Sequence, residues 1–144
     1  MDDEVLADDL FNALENETNS SIMNLTNSKI KDHKNNVLQQ LQLPKDKLKR
    51  FHKKLKNYRY VRGMNDLQYG YYIRWIPLKN PNKLYLTNGG HICNIEIINS
   101  QIQIKLKNNM HRIFQIKYDN CILFQKITDQ EKVILGILDF LDKK

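Results

Sequence analysis

Downstream of residue 63, apolar and polar positions alternate with a period of two, the spacing of half-buried β-strands. QIQIKLK (101–107) shows it most cleanly: Ile102, Ile104 and Leu106 fall on one face, Gln and Lys on the other. The same reading predicts strands in YGYYIRWIPL (69–78), KLYLT (83–87), GHICNIEII (90–98), RIFQIKY (112–118) and CILFQKI (121–127). Asn88-Gly89-Gly90, Asn99-Ser100 and Asp119-Asn120 supply turns, since these residues tolerate positive φ. Six short strands joined in this way predict an antiparallel meander. The expected fold class is α+β: a small antiparallel SH3-like or Tudor-like β-barrel with a preceding basic helix and a C-terminal capping helix. The alternative is a pleckstrin-homology-like barrel, also closed by a C-terminal helix but with seven strands.

Outside that region the period is helical. In ITDQEKVILGILDFLDKK, Thr128 and Glu131 match a capping box, and Val133, Ile134, Ile137, Leu138 and Leu141 form a broad apolar face. Upstream, Leu48, Phe51, Leu55 and Tyr58 are spaced 3, 4 and 3 apart, an apolar strip between flanks of lysine and arginine. Pro44 at the start and Gly63 just past the end predict a basic amphipathic helix over 44–62. From Ile22 to Leu43 the pattern is weak, with Met23, Ile30 and Val37 at heptad spacing but Thr26, His33 and Gln40 between them. Val5, Leu6, Leu10 and Leu14 give the first residues only a modest helical signal. The expected organisation is an acidic, partly disordered or loosely helical arm (1–43), the basic helix (44–62), and a β-barrel with its C-terminal helix (63–144).

Charge sharpens this division. The chain has 144 residues and a net charge of +7, but residues 1–28 carry −7, residues 29–62 carry +10 and residues 63–144 carry +4. Asn, Lys and Ile are abundant, so part of the lysine content reflects a general bias of composition. No apolar run approaches the ~20 residues that cross a bilayer. MDDEVLADDL lacks the basic start and apolar centre of a secretory signal. A soluble, intracellular protein that does not engage membranes is expected. Cys93 and Cys121 then read as small buried hydrophobes rather than a disulfide.

Signatures of catalysis are sparse. His33, His52, His91 and His111 are dispersed, and His91 with Cys93 makes one half of a metal-ligand set with no second pair. His111 and Cys121 flank one predicted hairpin, yet nothing supplies a third catalytic group. The chain lacks the glycine-rich phosphate loops GxxxxGK[ST] and GxGxxG. No enzymatic activity, metal or cofactor is expected.

The basic stretch carries the functional expectation. Lysine outnumbers arginine there, which suits neutralising phosphates without reading bases. Strand alternation in 69–78 sends Ile73 and Trp75 to one face, Tyr72 and Arg74 to the other. Trp75 is expected in the core, leaving Tyr72 and Arg74 as a surface pair for stacking and phosphate contact. The expected nucleic-acid-binding residues are Lys45, Lys49, Arg50, Lys53, Lys54, Lys56, Arg59, Arg62, Tyr72 and Arg74. The rival reading is a protein-interaction or virion-structural module, with a protein partner or a second copy held by the acidic arm and the apolar C-terminal helix.

YRYVRGMNDLQYGYYIRWIPL, LTNGGHICNIEI and FQIKYDNCILFQKITDQEKVIL together resemble a family of small uncharacterised proteins of large eukaryotic DNA viruses, over roughly residues 45–144. The resemblance lies in strands and turns. It implies a viral or virus-derived protein acting in the host cytoplasm, nucleus or virion, and carries over no activity or site.

Overall fold

The computed structural model describes residues 22, 23 and 25–142. Residues 1–21, about half of the 1–43 arm and including Val5, Leu6, Leu10 and Leu14, lie outside the described residues. The described chain is α+β: helices α1 (Asn27–Gln40) and α2 (Lys45–Lys54), strands β1 (Tyr58–Tyr60), β2 (Tyr72–Pro77), β3 (Gly90–Ile98), β4 (Gln101–Lys107), β5 (Ile113–Lys117) and β6 (Cys121–Lys126), and helix α3 (Asp129–Asp142). The strands form one antiparallel six-stranded sheet in the order β1-β6-β2-β3-β4-β5.

The expected number of strands is met by a different set. Residues 83–87 form no strand, and β1 takes the sixth place. A meander is not what forms either. β5 and β6, joined through a 3-10 turn at Tyr118–Asn120, do not pair; β6 instead lies between β1 and β2. The Asn99-Ser100 turn is as expected, with both residues at positive φ (52° and 64°), the geometry that matches the twist of a two-residue hairpin.

The basic helix is shorter than the predicted 44–62, ending at Lys54. Tyr58, Arg59, Tyr60 and Val61 are β-branched or aromatic around one cation, and they alternate across the sheet. Tyr58 and Tyr60 pack with the helices, whereas Val61 joins Ile73, Trp75, Ile92, Ile104, Leu106 and Leu123 on the opposite face. Helical geometry would have placed Arg59 on the solvated flank; the strand turns it inward, where only 2% of it is exposed. Phe51 and Leu55 seat α2 on Ile76 and Phe124 of the sheet.

Helix α1 falls within the arm expected to be partly disordered or loosely helical, and it is packed on the body. Ile30, Lys34, Val37 and Leu38 are all buried, a regular i, i+4, i+7, i+8 face interrupted in composition by one lysine. The Lys34 ammonium donates to the Leu55 carbonyl at 2.8 Å and to the Lys56 carbonyl at 3.4 Å. These carbonyls lie at the C-terminal end of α2, where a helix leaves acceptors unpaired and carries partial negative charge. Burial holds the Lys34 pKa below its ordinary value, with Lys31 adding to the effect. Lys34 therefore joins α1 to α2 at a polar point that an apolar side chain cannot replace.

At its other side α1 packs on α3, through Ile22, Leu25 and Ile30 against Ile127, Ile134 and Leu135. Asp139 of α3 accepts from the Asn27 backbone N–H at 2.9 Å, satisfying one of the free donors of the first turn. The capping box of α3 forms as expected: Thr128 N–H donates to Glu131 Oε1 (2.9 Å) and Glu131 N–H to Thr128 Oγ1 (3.1 Å).

Replacing Lys34 by Met keeps the stem and removes the donor; the Leu55 carbonyl keeps the Tyr58 N–H (3.0 Å), while the Lys56 carbonyl loses the ammonium. Denaturant titration is expected to show a loss of about 1–3 kcal/mol. An unchanged midpoint would refute the role given to the ammonium.

Candidate nucleic-acid interface

Lys45, Lys49, Arg50, Lys53 and Lys54 are exposed on α2, and Lys56 is exposed just beyond it. None of the six pairs with a carboxylate among the described residues. Lys47 leans over the Phe51 ring, its Nζ 5.9 Å from the centroid. Arg62 is also exposed and lines a shallow depression of about 190 Å³ with His33 and Tyr60, which none of the α2 cations lines.

Arg59 corrects the expected set. Its Nη1 lies 3.5 Å from Asp66 Oδ1 and its Nη2 3.9 Å from Glu131 Oε2, and both partners are largely buried. Nη2 also donates to the Asp66 carbonyl at 3.4 Å. Gln125, fully buried, donates from Nε2 to the same carbonyl at 2.9 Å and accepts from Gln68 N–H at 3.1 Å. A guanidinium held this way is a structural cation, not available to a phosphate.

Tyr72 and Arg74 do share a site. They line an open groove of about 980 Å³ on the helix-bearing side of the sheet. Tyr72 donates its hydroxyl to the Asn88 carbonyl and meets His91 edge to face, ring centroids 5.0 Å apart. Arg74 Nε donates to the Thr87 carbonyl at 2.8 Å, which fixes the guanidinium plane and leaves its outer nitrogens for a ligand. Asn57 and Tyr58, which follow directly on α2, form part of the wall, so the groove abuts the C-terminal end of the basic helix.

Sequence reasoning missed two cations in this groove, Lys126 and Lys132. Lys126 shares strand parity with Ile122 and Phe124 and sits opposite Tyr58. That position follows only once β6 is known to lie between β1 and β2. Lys132 comes from the first turn of α3, and Asp129 is the one carboxylate lining the groove.

The residues singled out for chemistry are not assembled. Among the described residues no group of three or more metal-ligating side chains occurs. Cys93 and Cys121 are free thiols; Cys93 is exposed, not buried as expected, while burial pushes the pKa of the half-buried Cys121 up to about 11. The cavity that Cys121 lines includes neither His111 nor an Asp or Glu. Among the described residues no helix is long and apolar enough to cross a membrane. Comparison of the chain with protein-family models, with curated proteins and with solved structures finds no match.

Glu131 carries a pH signature of the buried network. Burial raises its pKa above the ordinary 4.5, outweighing the Thr128 cap and the Arg59 charge, which both act downward. A carboxyl that holds its proton more tightly when folded contributes stability in full below the unfolded value. That contribution is lost as pH rises through the folded value. Glu131→Gln keeps the capping acceptor and cannot titrate. Measured against this variant, the wild-type protein is expected to lose stability as pH climbs from about 4.5. A pH-independent difference between the two melting temperatures would contradict it.

Proposed function

We propose that this protein is a non-enzymatic binding module that holds nucleic acid through its backbone phosphates with little sequence preference. The observation that carries the reading is the row of exposed α2 cations, without carboxylate partners among the described residues, ending at a groove that adds Arg74, Lys126 and Lys132. Lysines in water act as point charges on phosphates, and their affinity falls as salt competes. We further propose that the sheet is an SH3-like barrel. The order β6-β2-β3-β4-β5, with a 3-10 turn between β5 and β6, supports that topology. The resemblance over residues 45–144 supports placing the protein in a host cell of a large DNA virus.

Binding of a mixed-sequence oligonucleotide, followed by anisotropy, is expected to weaken linearly in log–log form as salt rises, with a slope of about −0.7 to −0.9 per phosphate contacted. Changing Lys49, Lys53 and Lys56 together to Glu is expected to lower affinity by roughly two orders of magnitude or more. No retention on nucleic acid at low salt would eliminate the reading.

One observation favours a second reading, a protein-interaction or virion-structural module. Val133, Phe140 and Leu141 of α3 are 47%, 60% and 59% exposed. Apolar surface of this kind suits a protein partner or a second copy of the chain. Concentration-dependent sedimentation that Leu141→Glu abolishes would favour it.

A further inference from the structure

Beside the cationic groove lies a second cavity, of about 610 Å³, whose character is different. It opens between the 78–89 loop and β5. Its walls include Trp75, Tyr85, Met110, Phe114 and Ile116. Tyr85 and Phe114 are well exposed, at 57% and 43%, while Trp75 is seated in the core beneath. Tyr72, Asn88 and Asn109 line both cavities, so the two adjoin along these residues.

The loop is held in place by a close approach. Gly89 has φ +92°, and a Cβ there would stand 2.3 Å from the Ile73 carbonyl oxygen and 2.7 Å from the Tyr72 ring. Thr87 N–H donates to the Trp75 carbonyl (3.0 Å), and Trp75 N–H to Thr87 Oγ1 (3.2 Å). Gly89 and Thr87 thus lock the loop onto β2, which sets Tyr85 on the rim.

Charge narrows the occupant. The second cavity is lined by Lys79 and Lys117 and by no Asp or Glu. An aromatic site without a carboxylate and with two lysines repels a methylammonium group rather than caging it. A ligand that is anionic at one end and flat and aromatic at the other fits both halves: phosphates along Arg74, Lys126 and Lys132, a base against Tyr85 and Phe114. Duplexes keep their bases stacked inside, and only unpaired bases reach such a wall.

We propose that the two adjoining cavities form a binding site for single-stranded nucleic acid, with phosphates in the cationic groove and an unstacked base in the aromatic cavity. The proposal rests on the phosphate-binding reading above and adds the strandedness of the ligand. Asn88 and Asn109 stand at the junction, where their amides can meet base edges without favouring one base strongly.

The test compares a mixed-sequence single strand of about 12 nucleotides, the matching duplex and poly-glutamate. Readouts are anisotropy and the fluorescence of Trp75, the chain's single tryptophan. The single strand is expected to bind more tightly than the duplex and to quench Trp75, which the duplex leaves unchanged. Tyr85→Ala with Phe114→Ala, both exposed positions, is expected to weaken single-strand binding by roughly fivefold or more and to spare duplex binding. Equal binding of strand and duplex, unaffected by the double variant, would overturn this inference and leave the phosphate reading standing. Poly-glutamate binding as tightly as the single strand would also overturn it. Failure of both nucleic acids to bind at low salt would remove the phosphate reading itself, and this inference with it.

Discussion

The burial of the Arg59 guanidinium sets the geometry from which the surface follows. An ion taken out of water is tolerated only where opposite charge and hydrogen bonds replace the lost solvent. Asp66, from the turn after β1, and Glu131, from the first turn of α3, supply the charge. Gln125 of β6 shares the Asp66 carbonyl with Arg59 and ties the 63–68 segment to the sheet. The turn after β1 and the start of α3 thus converge on one side chain, and β6 is tied to the same turn. Losing Asp66 from such a set costs about 3–5 kcal/mol, since the guanidinium stays buried and charged. The arrangement fixes β1 against β6 and thereby decides where the helix before β1 must end.

Lys34 acts on the other end of the same connection. Its ammonium closes the last turn of α2 while its neighbours on α1 fill the core. Two buried cations, one on each side of residues 55–58, hold the basic helix at a defined place on the sheet. The remaining cations of α2 stay in water because the helix buries only a narrow strip, Phe51 with Leu48 beside it. The cationic groove is the space left between that helix end, β2 and the start of α3. Function, on this account, is a property of what the two buried charges leave exposed.

Much of this was legible in the residues, and the failures share a cause. Local signals held where the partner was close in sequence: the Thr128–Glu131 box, the Asn99-Ser100 hairpin, the alternation that buries Ile73 and Trp75, the strip of α2. Signals failed where a charge crosses between distant elements. The heptad reading of 22–43, weakened by Thr26, His33 and Gln40, missed a buried face that runs through Ile30, Lys34, Val37 and Leu38, and Arg59 made a strand look like the end of a basic helix. β6 follows β5 after a short turn, so a hairpin was the natural expectation, yet its apolar residues serve the β1–β2 gap instead. Tyr72 and Arg74 were found by alternation alone. Lys126 and Lys132 required the strand order.

Hydrogen–deuterium exchange with and without a mixed-sequence single strand tests the central claim most directly, because it reports where a ligand sits rather than whether it binds. Slowed exchange is expected together in the end of α2, in residues 72–74 and 87–91, and at the β6–α3 junction. Protection confined to the apolar patch around Met64, Leu67 and Ile97, or found nowhere at all, would contradict the account.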